Sequence, residues 1–425
     1  MNNYSNFCRD VKRDLLEFLN EVLFKNIKPL PDKKLILDLV YGVLRSGSLH
    51  LSNIVRALKE SISPINVERR LSVALQRIDL TKYEDKLIKY NLFNLCTSNP
   101  LKIIMDESDV IKPYGFMFEN LTYIHDGSKP NRPKEKGFRV SGCIGIGSRN
   151  SIIPISLKIY STIDKSFVSV NDHTINIINK IHSLANEPIT VILDRGYDSS
   201  VLINNLSFKS INYVIRAKNA RKYDNFTIDR LFSKMKGLYS NNYVNKENKP
   251  VFVKFNSKIF THSKINKSFY LVYEKRDDEK DYRVYLTNKV CFTKEQCEEV
   301  IKSYRLRWRI EELFRFIKEE FGFEKYRVRS LKAMNNLCFI LSIAVSYLTY
   351  IYLCNNHIFQ SCLKCYMNLK NEKKEQEIGL KYGYYGIKLY QLKRGLQDIL
   401  VHIKDKPTIK KKSKKEERYE QLRLF

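Results

Sequence analysis

The sequence predicts a mixed α/β protein with helical regions at both ends. Three observations carry this reading. Residues 1–98 repeat apolar side chains at helical spacing. Between 99 and 218, short apolar runs ending in acids alternate with a helical stretch. From 219 to 290 β-prone runs dominate, before a helical pattern resumes at Thr293.

Taken in order, Phe7, Val11, Leu15, Phe18, Leu19 and Val22 predict a first helix, and Leu35, Leu39, Val40, Val43 and Leu44 a second. Pro29 and Pro31 separate them. Further helices open at Ser52 and Asn66. Arg56, Arg69, Arg70 and Arg77 on exposed faces suit a DNA-binding bundle as well as a plain solvated surface. LKIIMD (101–106) reads as a strand ending at Asp106. Residues 138–147 and 151–161 read as a strand pair around a turn at Ser148–Asn150. Residues 171–185 have helical spacing, PITVILD (188–194) is a strand ending at Asp194, and 212–218 is another strand. Residues 219–290 hold 16 Lys and Arg against 8 Asp and Glu, which predicts a β-rich insertion with a basic face. One long helix is expected from Thr293 past Lys318, with a second part of the core over 291–355, a helical region over 356–405 and a basic flexible tail over 406–425.

The charge balance narrows the function. The chain of 425 residues carries 75 Lys and Arg against 46 Asp and Glu, a net +29, so a polyanion such as nucleic acid is the expected partner. Nine cysteines at irregular spacings argue against a disulfide framework and for a reducing cytosol. The first 18 residues hold no apolar signal core, so secretion is not expected. Residues 337–354 are apolar enough to span a bilayer. Their Ser342, Ser346, Thr349 and tyrosines instead predict a buried helix, and no membrane partner. Cys354, His357, Cys362 and Cys365, if on one helix, would stretch over about 16 Å and could not converge on one zinc ion.

Asp106 and Asp194 each close an apolar strand, where a side chain projects at the sheet rim; either alone is equally a turn or capping residue. Residues 304–318, YRLRWRIEELFRFIK, are more specific. Tyr304, Arg307, Glu311 and Lys318 fall at i, i+3, i+7 and i+14, on one helical face. An acid flanked by cations on its own face suits a metal carboxylate beside phosphates.

This Tyr-x2-Arg-x3-Glu-x6-Lys pattern resembles the signature of the insertion-sequence-four family of DDE transposases. Asp106 in DESDVIKPYG and Asp194 in LDRGYD stand where that family places its two aspartates. The resemblance covers roughly residues 100–355. It implies an RNase-H-like catalytic core, with Asp106, Asp194 and Glu311 holding two Mg²⁺ ions, for which Mn²⁺ could substitute. It further implies DNA contacts from Tyr304, Arg307 and Lys318, and from Arg216, Lys218, Arg221 and Lys222 in VIRAKNARK. The expected activity is cleavage of the ends of a bacterial insertion sequence and strand transfer into target DNA, by a dimer holding paired ends, in the cytoplasm at the nucleoid. A non-catalytic DNA-binding descendant and a nuclease that cuts without joining are the alternatives. Trp308 is the single Trp and lies outside the insertion, so a hairpin route using an insertion Trp is not expected. Gln421, Leu422, Leu424 and Phe425 resemble the short peptide by which bacterial proteins dock on the DNA-polymerase sliding clamp.

Overall fold

The computed structural model describes residues 2–409, apart from 126–128, 130, 132, 219–221, 224–225, 234–238, 245–249, 280–281, 355 and 371–387. Five helices come first: α1 (Asn2–Val22), α2 (Leu30–Ser46), α3 (Leu51–Leu58), α4 (Pro64–Arg77) and α5 (Glu84–Tyr90). Pro occupies the first turns of α2 and α4, where its missing N–H has no intrahelical role. Strands β1 (Leu101–Ile111), β2 (Thr122–His125), β3 (Lys134–Ile146) and β4 (Ile152–Tyr160) follow. Then come α6 (Val170–Leu184), β5 (Ile189–Leu193), α7 (Ser200–Phe208) and β6 (Asn212–Arg216).

β1, β3 and β4 form an antiparallel meander, and β1 runs parallel to β5 and β5 to β6. The resulting order, β4-β3-β1-β5-β6, with two antiparallel and two parallel pairings, is the RNase-H-like arrangement that the sequence resemblance implies. The parallel pairs need crossovers, which α6 and α7 supply. β5 is buried throughout and shows no alternation, as expected of a strand covered on both faces.

The segment after β6 holds β7 (Lys222–Tyr223), β8 (Phe226–Thr227), α8 (Ile228–Ser233), β9 (Tyr239–Val244), β10 (Pro250–His262), β11 (Ile265–Arg276) and β12 (Arg283–Thr287). β12 pairs antiparallel with β6, so β12, β11, β10 and β9 continue the central sheet. Helices α9 (Lys294–Arg305), α10 (Trp308–Phe321), α11 (Leu331–Cys354), α12 (His357–Lys370) and α13 (Leu389–Val401) complete the described chain.

Four expectations are corrected. β1 does not end at Asp106 but runs five residues further, paired with β3 as far as Ile111. The long helix expected from Thr293 is two helices, broken by a tight turn at Leu306–Arg307 that carries i→i+3 bonds. The Cys354–Cys365 row spans two helices, not one. Lys406, expected to open a flexible tail, bonds Asp38 at 2.5 Å and Glu60 at 2.7 Å, and Arg70 joins the same two acids.

α11 is long and apolar enough to cross a membrane, yet it packs as a core helix against α2, α4, α13 and β4. Its fully buried Asn336 accepts from the Leu80 N–H at 2.8 Å and donates to the Leu75 and Ile78 carbonyls at 2.8 and 2.7 Å. A buried amide with three partners ties α11 to the end of α4.

Candidate active site

The β1–β5 register builds the site. Met105 pairs with Leu193, the last residue of β5, so the residues that follow, Asp106 within β1 and Asp194 just past β5, stand side by side where the strands part. β1 continues straight, while Asp194 turns into a short 3₁₀ segment, Arg195–Tyr197, whose Gly196 N–H its carboxylate accepts. Both the strand-rim and the capping readings of Asp194 therefore describe the same side chain.

Glu311 arrives from α10. Ser141 and Gly142 are adjacent on β3 and face opposite sides of the sheet. The Ser141 hydroxyl meets His173 of α6 at 2.9 Å, whereas Gly142 leaves space for Phe314 and Ile310 of α10. α10 lies close enough for Arg307 to bridge two of the acids, with Nη1 to Asp106 Oδ2 at 2.9 Å and Nη2 to Glu311 Oε1 at 2.5 Å. The Asp106 carboxyl is pushed up to about 6. Burial is the main cause. The Glu107 N–H and Arg307 oppose the rise, and the charges of Asp194 and Glu311 add to it.

The other expected residues divide. Tyr304 is buried against Tyr285, ring centres 4.7 Å apart, with the Arg216 charge at the end of β6 close by. Burial raises its phenol above the usual range, while the nearby Arg307 and Arg216 oppose the rise. Lys318 donates to the Asp109 carbonyl at 3.0 Å and pairs with Glu324 at 2.8 Å. Lys218 is exposed but tethered: its N–H bonds the Asp198 carboxylate at 2.8 Å and its Nζ the Asp198 carbonyl at 3.0 Å, which makes it a tie between loops. Lys222 lies in β7, and Arg221 and residues 421–425 fall outside the described residues.

Among the described residues, no three His, Cys, Asp or Glu side chains close into a ready metal cage. Arg307 instead supplies positive charge between Asp106 and Glu311. The all-carboxylate donor set, with its mutual repulsion balanced by a guanidinium standing in for a cation, fits a hard divalent ion such as Mg²⁺.

Two features were not legible in the sequence. Gly142 reads there as one of several small residues in FRVSGCIGIG. Tyr197, in LDRGYD, carries a buried hydroxyl with no hydrogen-bond partner among the described residues, in the field of Glu107, Asp106, Tyr160 and Asp194. A Tyr three residues after the second acid was the available signal.

Residues 145–347 match the family model described as a transposase DDE domain. That stretch holds Asp194 and Glu311, and begins after Asp106. A cryo-EM structure of a piggyBac transposase synaptic complex with hairpin DNA is similar at 13% sequence identity and a TM-score of 0.47, over 94% of this chain and 76% of that one. No curated protein sequence matches the chain.

Proposed function

We propose that this protein is a DDE transposase of a bacterial insertion sequence, cleaving element ends and joining them to target DNA. The observation that carries the reading is the register that sets Asp106 beside Asp194, with Glu311 linked to Asp106 through Arg307. The similarity of residues 145–347 to a transposase DDE domain supports it.

Asp106, Asp194 and Glu311 are the residues that would hold divalent ions, Mg²⁺ or Mn²⁺ in its place. Bound there, such ions supply activation of an attacking oxygen and stabilisation of the leaving one. The chain's own residues do the positioning. β1 and β5 fix the two aspartates on rigid strands, and α10 fixes Glu311. Arg307 would turn to a DNA phosphate if a cation took its place between the acids, and Arg216 and Tyr304 lie beside it at the same rim. In cleavage, a water oxygen bonds to phosphorus as the P–O3′ bond breaks, leaving a 3′-hydroxyl and a 5′-phosphate. In joining, that 3′-oxygen attacks a target phosphate and displaces a target 3′-oxygen, so one P–O bond forms for each broken.

In this reading residues 1–98 bind element ends, and the groove along α4 lined by Asn66, Arg69, Val73 and Arg77 is a DNA-facing surface. Two copies pair the two ends, and Gln421–Phe425 docks on a sliding clamp. The test incubates the protein with a DNA fragment carrying the element's ends and a target plasmid in Mg²⁺. Cleaved ends and joined products are expected, both abolished by Asp106→Asn, Asp194→Asn or Glu311→Gln. Cleavage without joining would assign a nuclease, and end binding without either a non-catalytic descendant.

A further inference from the structure

The connection from β1 to β2, residues 112–121, is pinned to the body of the protein. The Lys112 N–H donates to Lys136 O at 2.7 Å, and its Nζ donates to the carbonyls of Glu324 at 2.5 Å and Tyr326 at 2.8 Å. Phe118 packs on Phe138 and Tyr326, the Glu119 N–H donates to Arg329 O at 3.0 Å, and the Glu119 carboxylate accepts from the Leu331 N–H at 2.7 Å. A loop tied at this many points does not need its remaining large side chains for its own fold. Yet Tyr114 is 89% exposed, Phe116 72% and, at the start of β2, Tyr123 65%. Single exposed apolar residues are ordinary; exposed rings on one tied loop and the strand that follows it, two of them sharing one cation, are a surface awaiting a partner.

The charge around the rings selects that partner. Lys136 Nζ lies 4.0 Å from the Phe116 ring centre and 5.9 Å from that of Tyr123, so one cation serves both rings. Lys134, Arg327 and Arg329 are exposed nearby. The neighbouring acids are engaged: Glu119 with the Leu331 N–H, Glu135 with Lys129, and Glu324 with Lys318. A second copy of the chain would bring these same cations together and be repelled, whereas a polyanion with flat faces answers both features. Position also matters. Lys112 directly follows β1, six residues beyond Asp106, about 20 Å at roughly 3.3 Å per residue.

We propose that Tyr114, Phe116 and Tyr123 form a stacking platform for the unpaired bases of a single DNA strand running to or from the acid site, with Lys136 holding its backbone. The platform rests on the transposase reading and adds where an unpaired strand is held. It also moves base stacking off the insertion, which has no Trp.

The test titrates the full-length protein against a single-stranded oligonucleotide carrying 2-aminopurine, and separately against blunt duplex. Base–aromatic stacking of about 1–3 kcal/mol per base corresponds to about 5- to 150-fold in affinity. Phe116→Ala and Tyr123→Ala are each expected to weaken single-strand binding in that range and to restore 2-aminopurine emission. Duplex affinity and melting temperature should stay unchanged. Phe116→Trp should retain binding and Phe116→Leu should lose it. Unchanged single-strand affinity in both alanine variants, or full retention by Phe116→Leu, overturns the platform. So does a loss accompanied by altered self-association. End cleavage is scored in parallel. A failed platform with cleavage that Asp106→Asn abolishes leaves the transposase reading standing. A platform that binds single strands in a protein cutting no ends refutes that reading and not the stacking site.

Discussion

Gly142 stands opposite Asp106 in the β1–β3 ladder, and a Cβ at Gly142 would lie 2.6 Å from the ring of Phe314. The missing side chain lets α10 approach the sheet, and α10 carries Glu311. One glycine thus sets the separation between two acids that are 205 residues apart in sequence.

Gly142→Val is therefore expected to push α10 outward and abolish end cleavage while the protein still folds. Overpacking of this kind costs about 1–3 kcal/mol. Thermal unfolding and cleavage measured together test it: cleavage at the normal rate would show that the close approach is not needed.

Arg307→Ala leaves the largely buried Asp106 without its cation. For a pair about one-fifth exposed, a loss of roughly 2 kcal/mol is expected, below the range for fully buried pairs. Added Mg²⁺ should raise the melting temperature of the variant more than that of the wild type, because no guanidinium competes for the acids. Equal Mg²⁺ shifts in both proteins would rule out competition at this position.

The raised Asp106 carboxyl has a stability signature. Its folded pKa of about 6 exceeds its ordinary 3.8, chiefly through burial, so the folded state holds this proton more tightly. The stability it contributes is complete below about pH 3.8 and is lost as pH rises through 6. Without divalent ions, the wild type should lose roughly 2 kcal/mol relative to Asp106→Asn between pH 4 and pH 7. Denaturant unfolding of both proteins across that window reads the difference, and a flat difference would contradict the assignment.

Asn336→Ala removes three hydrogen bonds and orphans a buried N–H and two carbonyls at the end of α4. A cost of about 3 kcal/mol is expected. Hydrogen exchange should show faster opening of residues 64–80 than of the central sheet. Uniform acceleration over the whole chain would mean that α4 opens only with global unfolding.

Much of the site could be read from local pattern. Apolar runs ending in Asp106 and Asp194 mark two strands, and the Glu311–Lys318 spacing sets one face of α10, because both periodicities are properties of the chain's own backbone geometry. The polar stretch Glu107–Ser108–Asp109 gave no sign that β1 continues. Its pairing with Val140 and Arg139 of β3 holds it extended, and such pairing is non-local.

The chain's residue order is thus enough to announce an acid-bearing α/β core, a strongly basic protein and the acids that meet at its candidate site. Three things depend on contacts between distant segments. The helix breaks at Leu306–Arg307, where α9 lies against β5 and β6 and α10 against β1 and β3. Residues 239–287 become part of the central sheet because β12 finds the open edge of β6. Arg307, expected from its spacing to face phosphate, is held between Asp106 and Glu311, because burial brings the two acids within its reach and leaves them needing a counter-charge.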